Sequence, residues 1–213
     1  MKSAWIDITV PIRTGMVHWA GDPPVEVSRR LSIGVDSDFN ISFLSMSSHT
    51  GTHMDSPLHF IRRGEGLERM PLDATMGPAR VIEITDRVSI KPDELEPYGI
   101  EPGQRVLFKT ENSARYWPDL PFQEEYVHIS VEGARYLAER RISCVGVDYL
   151  SVAALGVEAT EVHVTLLGAG IWIIEGLCLA GVQPGDYELA CLPLPLQDAD
   201  GAPARAIIRP MRR

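Results

Sequence analysis

The chain has 213 residues, about the length of one domain, and is 45% apolar and 23% charged: enough material for a core, too little charge for disorder. Its 18 glycines and 16 prolines follow no period, which excludes collagen-like and low-complexity chains. Twenty basic residues against 29 acidic ones leave a net charge of −9, a balance that repels phosphate backbones and anionic lipid, so neither nucleic-acid nor membrane partners are expected.

From Met1 to Asp7 the chain runs straight into strand-like alternation without an apolar signal segment. Short Val- and Ile-rich runs bounded by Gly, Pro, Asp or Asn predict strands at 5–10, 25–33, 41–47, 80–85, 105–110, 144–148, 170–175, 187–192 and 204–209. Val131, Ala134, Leu137 and Ala138 recur at helical spacing behind Ser130, a good N-cap, and predict a helix there. A second helix is predicted at about 158–167, with Gly168 as its stop. The most apolar window, 166–174, is nine residues long, against the roughly twenty a bilayer span needs. Basic residues cluster only at Arg29-Arg30, Arg62-Arg63, Arg140-Arg141 and the Arg209–Arg213 tail. Dominant strands with two later helices predict a single α/β or α+β domain over 1–213 with a mixed sheet, in a soluble, cytoplasmic protein. Cys144, Cys178 and Cys191 are odd in number and lack C-x-x-C spacing, so they are expected reduced and buried.

Three of the six histidines fall within His49-Thr50-Gly51-Thr52-His53-Met54-Asp55-Ser56-Pro57-Leu58-His59. A helix would turn Asp55 away from His49 and His53, and Gly51 and Pro57 oppose one. In an extended chain His49, Gly51, His53, Asp55, Pro57 and His59 share one face. A straight strand would hold His49 and His53 about 13 Å apart, near the limit for two imidazoles on one ion. A bend is therefore expected, and Gly51 is the residue that permits it. Two imidazoles with one carboxylate form the ligand set of a catalytic divalent metal, and an Asp can bridge a second ion.

Glu175 ends the apolar run Ile171-Trp172-Ile173-Ile174, where a buried carboxylate needs a cation or several donors; a strand end turned to water is the alternative. His163 stands beside Leu166 and Leu167 in the second helix, as a ligand or as a satisfied core histidine. His18 and His128 have no such company.

The His-rich motif resembles the signature of the cyclase family of metal-dependent hydrolases, which includes bacterial kynurenine formamidases. The resemblance extends to Trp19-Ala20-Gly21-Asp22-Pro23-Pro24, Arg105-Val106-Leu107-Phe108-Lys109-Thr110, Gly146-Val147-Asp148, Ile174-Glu175-Gly176-Leu177 and Gly185-Asp186-Tyr187-Glu188-Leu189, and so covers nearly the whole chain. It implies a mixed β/β/α swivelling domain with a small barrel-like sheet. It also implies that His49 and His53 bind a first ion, that Asp55 and Glu175 are shared between two ions, and that His163 binds the second. His59 becomes the proton donor and acceptor, and Trp19 an aromatic wall of the substrate pocket. The implied cofactor is one or two zinc ions, with manganese as the alternative, and the implied assembly is a homodimer or larger. The implied reaction is attack of hydroxide, from metal-held water, on the formyl carbonyl of N-formyl-L-kynurenine, yielding L-kynurenine and formate. Opening of an isatin-type cyclic amide, or hydrolysis of another substrate within the family, is the enzymatic alternative. A non-catalytic metal-binding protein is the alternative of another class, and it would need the ligands but not His59.

Overall fold

The computed structural model describes residues 5–116 and 119–211; the first four residues of the N-terminal alternation and the last two of the basic tail lie outside the described residues. Its strands are β1 (Ile6–Asp7), β2 (Glu26–Leu31), β3 (Ile41–Ser45), β4 (His53–Asp55), β5 (Met76–Glu83), β6 (Ser89–Ile90), β7 (Arg105–Lys109), β8 (His128–Ile129), β9 (Cys144–Val147), β10 (Trp172–Glu175), β11 (Gly185–Pro193) and β12 (Gly201–Pro210). The helices are α1 (Leu72–Thr75), α2 (Pro92–Leu95), α3 (Glu111–Tyr116), α4 (Val131–Arg140) and α5 (Glu158–Gly168).

The architecture is the expected mixed α/β fold with a barrel-like sheet. Among the described residues, β12, β11, β5, β7, β9, β10 and β4 follow one another around a ring that closes where β4 meets β12. The pairs β5–β7, β7–β9 and β9–β10 are parallel, and the remaining neighbours in the ring are antiparallel. Two short N-terminal pieces fill the seam between β10 and β12. At one end β4 pairs with both, placing Asp55 opposite Ile173 and Gly201, and His53 opposite Glu175 and Pro203. At the other end β1 pairs with β12, while Thr9 bridges to Leu177 just beyond β10. This arrangement puts β4, which carries His53 and Asp55, directly beside the strand that ends in Glu175.

The parallel strands are buried on both faces, so they read as unbroken apolar runs rather than alternating ones. Their alternate residues divide between two cores. Val106, Phe108, Val145, Val147 and Ile173 pack beneath α4 and α5 with Ala134, Leu137, Val162 and Leu166. Leu107, Ile174, Met54, Leu189, Ala202 and Ala206 fill the ring's interior. As predicted, Ser130 caps α4, its hydroxyl accepting from the Gly133 N–H at 3.0 Å. The second helix runs one residue further than expected. Gly168 is its last residue, and the turn falls on Ala169 and Gly170, whose N–H groups bond to the carbonyls of Leu166 and Leu167.

Cys144 and Cys191 are buried and free; Cys178 is free but only partly buried, a departure from the expectation for all three. No described helix is long and apolar enough to cross a membrane. Among the described residues the β2–β3 hairpin forms a separate two-stranded sheet, and it exposes Ile41, Phe43 and Leu44.

Candidate metal centre

The His-rich motif folds into three local shapes rather than one straight strand. His49 lies on a turn, Gly51 bends the chain at φ +64°, His53–Asp55 form β4, and Pro57–His59 make a single 3-10 turn. The bend expected at Gly51 is present. The single face expected for all the odd-numbered residues survives only for His53 and Asp55, because Pro57 has no N–H with which to continue a ladder and opens a helical turn instead. Bending brings the His49 and His53 ring centroids to 5.1 Å.

Four of the predicted residues converge in a buried cradle. His53 Nδ1–H donates to the Gly51 carbonyl at 2.9 Å, and His163 Nδ1–H donates to the Ala159 carbonyl one turn earlier in α5 at 2.7 Å. A carbonyl oxygen can only accept, so both rings carry a proton on Nδ1 and turn Nε2 towards the carboxylates. His53 Nε2 lies 3.2 Å from Glu175 Oε2 and 3.5 Å from Asp55 Oδ1. His163 Nε2 lies 3.4 Å from Glu175 Oε1 and 3.8 Å from Asp55 Oδ2. Glu175 Oε1 also accepts from the Val152 N–H at 2.7 Å, which fixes the carboxylate.

This geometry fits a cation. His53 Nε2 and Asp55 Oδ2 are buried with no hydrogen-bond partner, although each faces groups of the same cluster. Lone pairs of imidazole and carboxylate pointed at one another repel unless a proton or a metal lies between them. Ligands on a tetrahedral ion with bonds of about 2.1 Å stand about 3.4 Å apart, which matches these separations. Burial would raise the pKa of Asp55, but His49 beside it holds the carboxyl well below its usual range. Burial and the neighbouring Asp55 would likewise raise Glu175, and contacts with His163 and His53 outweigh them and lower it. Both carboxylates are thus anionic, with ligand atoms in two overlapping groups that share Asp55: His53–Asp55–Glu175 and His49–Asp55–His59.

His49 stands between two acids. Its Nδ1 is 2.9 Å from Asp55 Oδ1 and its Nε2 is 3.3 Å from Asp200 Oδ2. Burial alone would lower its pKa, yet Asp55 carries it up to about 9. The His59 ring stacks on His49 with centroids 4.0 Å apart and remains partly open to solvent. Burial outweighs the pull of Asp55 and, with repulsion from His49, sets its pKa below the ordinary value, which favours the neutral ring.

Trp19 is half-buried and meets Phe122 and Tyr126 edge-on, with centroids at 5.3 and 6.5 Å. The Tyr126 hydroxyl donates to the Ala153 carbonyl, one residue beyond the Val152 N–H that holds Glu175, so the aromatic group adjoins the cradle. His18 and His128 fall outside the two groups, each with Nδ1 on a nearby backbone carbonyl, and the His128 ring meets Tyr126 edge-on at 6.2 Å. Sequence reasoning did not identify Phe122, Tyr126 or Asp200. Phe122 and Tyr126 carry no spacing signal, and Asp200 is one acid in the loop Gln197-Asp198-Ala199-Asp200-Gly201.

Residues 6–154 match the family described as "Putative cyclase". The kynurenine formamidase of Bacillus thuringiensis (strain Al Hakam) is 38% identical over 211 residues, 98% of this chain and 99% of that protein. A solved structure described as "Potential Metal-Dependent Hydrolase With Cyclase Activity" is 35% identical and superposes with a TM-score of 0.85 over 98% of both chains. Isatin hydrolase A from Labrenzia aggregata superposes with a TM-score of 0.81 over 96% of this chain and 92% of its own; at 22% identity that likeness is one of fold.

Proposed function

The chain belongs to the cyclase family, and from that footing we propose that it is a metal-dependent hydrolase cleaving the formamide bond of N-formyl-L-kynurenine. Water adds across the C–N bond, giving formate and the free aryl amine, L-kynurenine. The observation that carries the reading is the pair of partnerless buried atoms, His53 Nε2 and Asp55 Oδ2, facing Glu175 and His163. The full-length match to kynurenine formamidases supports the choice of substrate.

His53, Asp55, Glu175 and His163 would hold the ion, with His49 completing the set through the shared Asp55. A divalent ion there supplies Lewis acidity, polarising a carbonyl and acidifying water near neutral pH. Zinc is our assignment, and two or three imidazoles with carboxylates also suit manganese. The residues divide the remaining work. Asp55 and Glu175 offset the positive charge. Neutral His59, at the open side of the cluster, takes a proton from the attacking water and returns it to the departing amine nitrogen. Trp19, Phe122 and Tyr126 provide aromatic faces and edges against which an aryl ring packs.

The test is metal analysis of the purified protein together with absorbance assays on N-formylkynurenine and isatin under zinc and manganese. The expected result is near-stoichiometric metal and turnover of the formamide. Turnover of isatin alone would transfer the assignment to cyclic amides, metal without either activity would favour a binding role, and no metal under any loading would overturn the reading.

We also propose that the protein is a homodimer. A two-stranded hairpin is marginal alone, and β2–β3 exposes Phe39, Ile41, Phe43 and Leu44 at 43–56% of their surface. A second copy would cover this patch. Light scattering should report twice the chain mass, and Phe43→Lys should shift it towards the monomer.

A further inference from the structure

Asp200 stands immediately before β12, and its place in the site is built from both backbone and side chain. Its backbone carbonyl accepts from the Ser56 N–H at 2.9 Å, fastening the loop to the residue after Asp55. The Ser48 hydroxyl donates to Asp200 Oδ1 at 3.1 Å, leaving Oδ2 aimed at His49 Nε2, 3.3 Å away, and at His59 Nδ1, 3.8 Å away. The next residue, Gly201, clears room for the ring: a β-carbon there would lie 2.6 Å from His49 Cε1 and 3.0 Å from Nε2. The loop thus grips one edge of the imidazole while Asp55 faces the other.

A neutral imidazole has one N–H and one lone pair, and the bond made by one nitrogen decides the role of the other. Once His49 sheds a proton to bind a cation, giving its Nε2–H to Asp200 leaves the Nδ1 lone pair on the Asp55 side, where the cation belongs. Without that acceptor the proton can sit on Nδ1, directed at Asp55, and the ring is lost as a ligand. Because His59 stacks on His49, the same carboxylate also sets the tilt of the residue assigned to proton transfer.

We propose that Asp200 is a positioning residue that fixes the tautomer of His49 and the orientation of the His49–His59 stack. This rests on the metal-hydrolase reading above. Three variants of the full chain separate the possibilities: Asp200→Ala, Ser48→Ala, and Asp198→Asn in the same loop as a control. Affinity for zinc and for manganese is measured by chelator competition, and kcat and KM on N-formylkynurenine at saturating metal. Asp200→Ala should bind metal about 10–100-fold more weakly. It should also lower kcat with KM within twofold of the parent. Ser48→Ala should give a smaller loss of both in the same direction, and it keeps the proposal testable if Asp200→Ala fails to fold. Asp198→Asn should match the parent. Asp200→Ala with parental affinity and kcat would overturn the proposal, as would a fall in thermal midpoint with affinity unchanged. A parent that binds metal but spares N-formylkynurenine would refute the substrate assignment while leaving the affinity comparison to judge Asp200.

Discussion

Gly176 and Gly51 touch backbone to backbone: a β-carbon on Gly176 would fall 2.1 Å from the Gly51 carbonyl oxygen. Both have positive φ, +69° and +64°, and the Gly176 carbonyl accepts from the Thr52 hydroxyl beside them. This contact carries the chain out of Glu175 and into His53 without a gap. Gly176→Ala combines the clash with a left-handed backbone costing about 1–3 kcal/mol. Denaturant unfolding should show a loss of roughly 3 kcal/mol or more. Parental stability would mean that the two backbones do not meet.

Asp55 is fully buried, with one oxygen facing His49 and His53 and the other near His163. Asp55→Asn replaces a carboxylate oxygen proposed as a ligand with an amide and should purify without stoichiometric metal. Elemental analysis decides this, and full occupancy would remove Asp55 from the ligand set.

His59→Ala should do the opposite, keeping the metal while slowing turnover about 10²–10⁴-fold. The distinguishing reading is metal content and rate on the same preparation, with metal lost in step with activity counting against a proton-transfer role.

Acidity should act in opposite directions on the metal-free and metal-loaded forms. His49 in the metal-free protein is raised from 6.5 to about 9, so its ion pair contributes full stability below pH 6.5. That contribution fades as the pH rises through about 9. A ligand must shed its proton before binding, so metal affinity should rise about tenfold per pH unit over the same interval. Thermal midpoints of the metal-free protein falling between pH 6.5 and 9, while chelator competition shows tightening metal, is the expected outcome. Affinity that is flat with pH would exclude His49 as a ligand.

Trp19→Ala should raise KM for the aryl substrate and leave metal content unchanged, since Trp19 contacts Phe122 and Tyr126 rather than the cradle. Steady-state kinetics with elemental analysis tests both halves.

Much of this was legible in the chain because strands buried on both faces announce themselves as apolar runs, as in 105–110 and 170–175. The two-residue strands β6 and β8 are too short to show a period. β5 begins four residues before the predicted start, because Gly77 and Pro78 read as breakers yet pair with Leu189 and Glu188 at the sheet. At the site, the crowding of His49, His53, Asp55 and His59 was visible locally, and Glu175 was marked by the apolar run before it. Asp200 was not visible, because its role arises only when the end of the chain returns beside Ser48 and Ser56. The orientation of His49 was hidden for the same reason.

The ring closes only when β12 arrives, and β12 occupies residues 201–210 of 213. During synthesis His49, His53, Asp55, His163 and Glu175 have all been made before that strand leaves the ribosome, yet β4 then lacks one of its two neighbours. The residues proposed as ligands can therefore be held together only once β12 has joined the ring, and a product that stops short of β12 leaves β4 paired on one side alone.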